Sequence, residues 1–256
     1  MFKHNFLFGK IATVPAIVAL FISARIHAAD TVEPFDMGAT DFELYAGIDG
    51  LGLDKYEKTV FGDVVLGYGI LERLSGYFGT TLESNEYLAE GAVGFAFGMY
   101  GNVVDFNHVD VDLFLDFSGG RGDFAVTPSF EFNLDADPEM ETVGVYLRGG
   151  VPLYGRNMSG GTDVAPEYEM AYQMDATLGA YVSPGNIHQL LLEFDAVFRP
   201  DAVDDERDME VGGVALGYNV MLADNLELIN QVYLDIPQSG EDFALGVSTG
   251  FIATLP

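Results

Sequence analysis

The sequence predicts an all-β protein: a transmembrane antiparallel β-barrel of about 12 strands in up-and-down order. Three observations carry this. From residue 41 onward, apolar and polar residues alternate in short segments, and a period of two gives each strand one apolar face. The opposite faces are rich in carboxylates. The N-terminal stretch has the make-up of a secretory leader. An oily outside, a polar inside and export together describe an outer-membrane barrel.

The leader comes first in the chain. Lys3, His4 and Lys10 give a basic start, Ile11 to Ala24 is apolar, and Arg25-Ile26-His27-Ala28-Ala29 supplies a small-residue cleavage site. The apolar run is too short for a spanning helix, which needs about 20 residues. Residues 1–28 are therefore predicted to be a signal peptide cut after Ala28, residues 29–40 a short periplasmic lead-in, and residues 41–256 the barrel. Localisation in a bacterial outer membrane follows, with membrane lipid as the surrounding partner.

Composition excludes several classes. The formal charge of −29 argues against nucleic acid, whose binding rests on basic contacts to phosphate. It also argues against a channel tuned for anions. A hydrophobic content of 49% with 20 Phe excludes a disordered acidic chain. Cys is absent, which removes disulfides and thiolate metal sites. The 31 Gly suit strands that bend and pack closely.

Twelve segments read as strands: 41–49, 59–70, 73–83, 89–101, 108–118, 123–135, 141–153, 167–182, 187–199, 208–222, 225–236 and 242–255. Most exceed the roughly 9–11 residues that a tilted membrane strand needs. An even number suits a single-chain bacterial barrel. Connections after the second, eighth and tenth are short: Ile70-Leu71-Glu72, Ser183-Pro184-Gly185-Asn186 and Leu222-Ala223-Asp224-Asn225. Those through Gly101-Asn102 and Asp135 to Met140 are moderate. The odd-numbered ones include the longest: Gly50 to Glu57, Tyr154 to Ala165, and Pro200 to Glu206. Short turns on one rim and long loops on the other is the outer-membrane arrangement, with both termini in the periplasm.

Two turn motifs carry a family resemblance. Gly67-Tyr68-Gly69-Ile70-Leu71-Glu72-Arg73-Leu74-Ser75 resembles a strand–turn–strand signature, YG-I/L-x-D/E-R/N-L. Gly217-Tyr218-Asn219-Val220-Met221-Leu222-Ala223-Asp224-Asn225-Leu226 resembles it again, and Asp242 to Phe251 is similar to the last strand of the same barrels. They are outer-membrane barrels of the transporter or meta-pathway phenol-degradation-like family. The resemblance implies a channel and a partnership with the barrel assembly machinery. Such barrels usually end on an aromatic residue, whereas this chain ends Phe251-Ile252-Ala253-Thr254-Leu255-Pro256.

The segment 108–118 is the most informative one. Val109, Val111, Leu113, Leu115 and Phe117 share the face assigned to lipid. His108, Asp110, Asp112, Phe114, Asp116 and Ser118 share the lumen face. The hairpin through Gly119-Gly120-Arg121-Gly122 is expected to bring Asp110 near Glu131. In the next acidic hairpin Glu167, Glu169, Gln173 and Asp175 face inward on one strand and Glu193 and Asp195 on the next, with Asp175 expected opposite Asp195 or Glu193. Two carboxylates about 5 Å apart at an effective dielectric near 20 repel by about 3 kcal/mol. Either one is protonated part of the time, or a cation or Arg lies between them. Arg148 and Arg199 are the candidate inward partners.

The predicted lumen set is thus Asp110, Asp112, Asp116, Glu131, Glu167, Glu169, Asp175, Glu193, Asp195 and Arg148. Rings of Asp and Glu favour cations, so small solutes or cations are the expected cargo. The bland alternative is a solvated interior that is acidic only because the whole chain is. No metal or cofactor is expected: His108, Asp110 and Asp112 stand about 6.6 Å apart per pair along a strand, too far for two neighbours to chelate one ion. Catalysis is not expected either. Past the leader only His108 and His188 remain, and Ser118 is too distant to serve as their nucleophile. Arg121-Gly122-Asp123 reads as a turn.

The reading is a passive pore or transporter-like channel with an acidic, cation-favouring lumen. Bulky inward positions, Phe114, Tyr146, Tyr181, Leu191 and Tyr233, predict a narrow or blocked bore. A non-conducting structural or surface-binding barrel, a barrel enzyme and a soluble exported sandwich are the alternatives. The last is disfavoured because every strand carries an apolar face that water would not tolerate.

Overall fold

The structure, a computed structural model, describes residues 37–51, 59–84, 92–106, 108–120, 123–136, 142–157, 168–198, 209–236 and 243–255. Its strands are β1 (Thr40–Leu51), β2 (Thr59–Leu71), β3 (Leu74–Ser84), β4 (Ala92–Phe106), β5 (Val109–Gly120), β6 (Asp123–Asp135) and β7 (Val143–Gly150). They continue with β8 (Leu153–Asn157), β9 (Tyr168–Tyr172), β10 (Met174–Val182), β11 (His188–Phe198), β12 (Met209–Ala223), β13 (Leu226–Asp235) and β14 (Ala244–Leu255).

Each strand pairs antiparallel with its neighbours, β5 pairs with β6, and β1 pairs with both β2 and β14, so the sheet closes on itself. Closure pairs the long strands on both sides, which is the condition for crossing a bilayer with strands, while the short β9 pairs with β8 alone among the described residues. Fourteen strands make twelve staves, as the sequence predicts. Two predicted staves, 141–153 and 167–182, are each broken in two. β8 carries on the line of β7 by pairing with β6, and β9 carries on the line of β10 by pairing with β8. The break falls at Val151-Pro152, where proline lacks the N–H a ladder requires. Opposite it, the Gln173 amide donates to the Pro152 carbonyl and holds the two halves in line.

One rim carries the short connections. Leu71 pairs with Leu74 and Ala223 with Leu226, leaving two-residue turns at Glu72-Arg73 and Asp224-Asn225. A single 3-10 turn, Pro184–Asn186, joins β10 to β11 with Gly185 at φ +76°. Thr40 and Leu255 pair on the same rim. The predicted turn at Gly101-Asn102 is absent: β4 runs on to Phe106, past a register shift between Asn102 and Val104. Phe106 pairs with Val109. The connections of the other rim, the predicted leader and most of the lead-in lie outside the described residues.

The two faces of each strand separate as the alternation requires. On β5, Leu113 is 49% exposed while Asp112 beside it is 2% exposed. Leu66, Phe78, Phe97, Phe130, Leu147, Leu178, Phe194 and Leu216 continue the exposed apolar face around the ring. Apolar side chains that water would expel coat the outside, and the buried positions hold fifteen polar or charged side chains.

Candidate functional site in the barrel interior

The inward face is a set of rows that run across strands along the hydrogen-bonding direction. One row crosses half the barrel: Asn102 on β4, Asp112 on β5, Glu131 on β6, Arg148 on β7, Thr177 on β10 and Asp195 on β11 stand opposite one another in register. Arg148 Nε donates to Glu131 Oε2 at 2.7 Å, and Nη2 donates to the same oxygen. Glu131 is fully buried, and its Oε1 has no hydrogen-bond partner among the described residues. The guanidinium lies 5.9 Å from the ring centroid of Tyr146, two residues back on its strand. Thr177 Oγ1 donates to Asp195 Oδ1 at 2.5 Å. Arg148 is also close enough to act electrostatically on Asp116, Glu193 and Asp195.

Three neighbouring rows repeat one arrangement: a tyrosine, a glycine on the next strand, and a carboxylate on the strand after that. Tyr77 reaches over Gly98 to Asp116, Tyr146 over Gly179 to Glu193, and Tyr181 over Gly144 to Asp135. The register sets all three, because each glycine pairs with the tyrosine on one side and the carboxylate on the other. The outer backbones are about 10 Å apart, twice the strand spacing. One phenol and one carboxylate together fill that gap only if nothing rises from the middle strand. A Cβ at Gly179 or Gly144 would fall on the Tyr146 or Tyr181 ring. Buried carboxylates need such donors, since an unpaired charge away from water is costly.

The predicted lumen residues are placed as follows. Asp112, Asp116, Glu131 and Glu193 are buried inside, and Arg148 joins Glu131. Asp110 is half-buried near the short-turn rim, opposite Asn133 rather than Glu131; the partner of Glu131 is Asp112. Asp175 lies opposite Val197, not opposite an acid, and accepts from Gln173 Nε2 at 2.8 Å. Asp195 pairs with Thr177, and Glu193 with Gly179. The expected bare carboxylate pairs of this hairpin are thus replaced by hydroxyl and phenol partners. Glu169 sits on β9, while Glu167 and Arg199 lie outside the described residues. His108 diverges from Asp110 and Asp112, its Nδ1 lying 2.9 Å from the Asp135 carbonyl oxygen. Among the described residues no group of three or more His, Cys, Asp or Glu is arranged to hold a metal ion. His188 is on the outer face, stacked on Tyr218.

Several interior carboxylates lie outside the predicted set: Asp41, Glu43, Asp63, Glu83 and Asp135 are all buried. Asp41 accepts from Thr254 Oγ1 at 3.0 Å, and Glu43 from Tyr45 at 2.8 Å. The same period-two register that marks Asp112 marks these residues.

A closed twelve-stave ring, apolar outside and polar inside, has the architecture of outer-membrane channel barrels. Among solved structures the chain is similar to the NanC porin, with a TM-score of 0.63 and 7% identity over 84% of this chain and 100% of that one. It is similar to the KdgM porin in complex with disordered oligogalacturonate, with a TM-score of 0.58 and 6% identity over 84% and 99%. An outer membrane channel from Pseudomonas putida F1 aligns with a TM-score of 0.60 and 13% identity over 87% and 97%. At such identities the likeness shows the fold. The sequence matches no family model and no curated protein.

Proposed function

We propose that this protein is a bacterial outer-membrane channel, a passive or transporter-like pore whose interior favours cations. The observation that carries the reading is the charge of the inward faces: nine carboxylates are buried there, and Arg148 is the one basic side chain beside them among the described residues. Fixed negative charge with low-dielectric walls raises the local concentration of cations. The exposed apolar belt suits lipid, and the predicted leader suits export followed by barrel assembly. The turn motifs ally it with transporter or phenol-degradation-like barrels. An oligogalacturonate, the ligand named for KdgM, is a polyanion that this interior would repel. The reading involves no catalysis.

The test is a reversal potential in a planar bilayer across a salt gradient. Wild type should prefer cations, less so as salt rises and the Debye length falls from about 10 Å at 0.1 M to about 3 Å at 1 M. Asp175→Asn, Glu193→Gln and Asp195→Asn together should lower the preference, and anion preference in wild type would sink the reading. Glu131, Tyr146, Gln173 and Asn219 are each at most 1% exposed. That burial favours a second reading, a filled barrel with a structural or surface-binding role, and the absence of any conductance would support it.

A further inference from the structure

Arg148 is one guanidinium set among carboxylates of three strands: Glu131 on β6, Asp116 on β5, and Glu193 and Asp195 on β11. Its side chain is 14% exposed, so bulk water screens it little. Its Nε and Nη2 both donate to Glu131 Oε2, and Oε1 of that buried carboxylate has no hydrogen-bond partner among the described residues. A structural ion pair explains the Nε bond. It does not explain why the guanidinium sits amid more negative charge than it can neutralise.

We propose that Arg148 is a selectivity-setting residue: a tethered counter-ion that occupies, against Glu131, the position a passing cation would otherwise take. This rests on the cation-favouring reading above and deepens it. Arg148 tempers the attraction, so a cation is drawn in without being held. The solute class fitted to compete for that position is a planar or amine-bearing organic cation, one that donates several hydrogen bonds to carboxylate oxygens. An acidic sugar brings only more negative charge to the same place.

The experiment uses the refolded full chain in planar bilayers under a potassium chloride gradient. Arg148→Met should raise the cation-to-anion permeability ratio about fivefold, the scale of one unit charge removed from a partly screened interior. Arg148→Lys should retain most of the wild-type ratio. Glu131→Gln should lower the ratio, and the double variant, which restores the charge balance, should return it towards wild type. Millimolar guanidinium chloride should block potassium current through Arg148→Met more than through wild type. If removing Arg148 leaves Glu131 too costly to bury and the single variant fails to fold, Glu131→Gln and the double variant decide the matter. A cation-selective wild type whose ratio is unmoved by these substitutions, or a Lys variant that behaves like Met, overturns the role of Arg148 while the channel reading stands. So does equal guanidinium block in both proteins. No current from any of the proteins overturns both.

Discussion

The interior has two unlike walls. From β5 to β11 the inward side chains are long and charged or phenolic: Asp112, Asp116, Glu131, Asp135, Tyr146, Arg148, Tyr181, Glu193 and Asp195. From β12 to β14 many are small, Gly213, Ala215 and Gly217, then Gly246, Ser248 and Gly250, with Asn219, Glu227, Ile229, Gln231 and Tyr233 among them. Both walls lay tyrosines on glycines, since Tyr233 covers Gly246, and Tyr45 of β1 covers Gly250. They differ in what stands one strand further on. Beyond Gly179 the register places Glu193, whereas beyond Gly250 it places Ile229. Ring-on-glycine packing is therefore a general way to fill this barrel, and the braces from a tyrosine to a carboxylate two strands away, Tyr77 to Asp116, Tyr146 to Glu193 and Tyr181 to Asp135, lie on strands β3 to β11.

The largest test of the contrast asks whether the charged wall is truly the inside of its strands. Leu113→Arg, on the outer face of β5, should cost about 2–4 kcal/mol if it faces the bilayer midplane. It is read by denaturant titration of the folded barrel in lipid. Equal loss from Asp112→Asn, one residue away, would break the assignment of faces. Next in size is the space over the glycines. Gly179→Ala drives a methyl into the Tyr146 ring and should cost about 1–3 kcal/mol by overpacking. Gly217→Ala meets Leu191 at 3.2–3.3 Å, a gap the flexible leucine can widen, and should cost less than about 1 kcal/mol in the same titration. Similar losses would mean that the two walls are packed alike. The last test concerns the brace itself. Tyr146→Phe strips a donor from buried Glu193 and should cost about 1–3 kcal/mol, against about 0.5–1.5 kcal/mol for Tyr45→Phe, whose Glu43 partner is on its own strand. A null result at Tyr146 would reduce the brace to packing.

Much of this was legible in the sequence, because strand faces follow from a period of two. Leu113 outside and Asp112 inside needed only that. The break of the β7 stave at Val151-Pro152 was missed in reading 141–153 as one strand, because alternation on both sides of Pro152 masks it. Register was harder. Placing Glu131 opposite Asp112 rather than Asp110 depends on how many residues the hairpin spends turning, and a shift of one pair on each strand keeps every face unchanged. The true end of β4 was hidden by the register shift at Asn102, which lets the strand pass through a Gly-Asn pair that reads as a turn. The braces were least legible. Tyr146, Gly179 and Glu193 come from three strands, and only the combined register of two ladders aligns them. No local motif announces such a row.

Strand β1 takes its second partner from β14, with Thr40 opposite Leu255 and the Thr254 hydroxyl bonded to Asp41. Hairpins such as β2–β3 can form from neighbouring residues, but this seam joins parts of the chain more than 200 residues apart. Of the strand pairings it carries the largest loop-closure entropy. Until β14 arrives, β1 is a bare strand edge, open to pairing with any other chain. Closing the ring, and covering the edge of β1, therefore rests on a single long-range pairing.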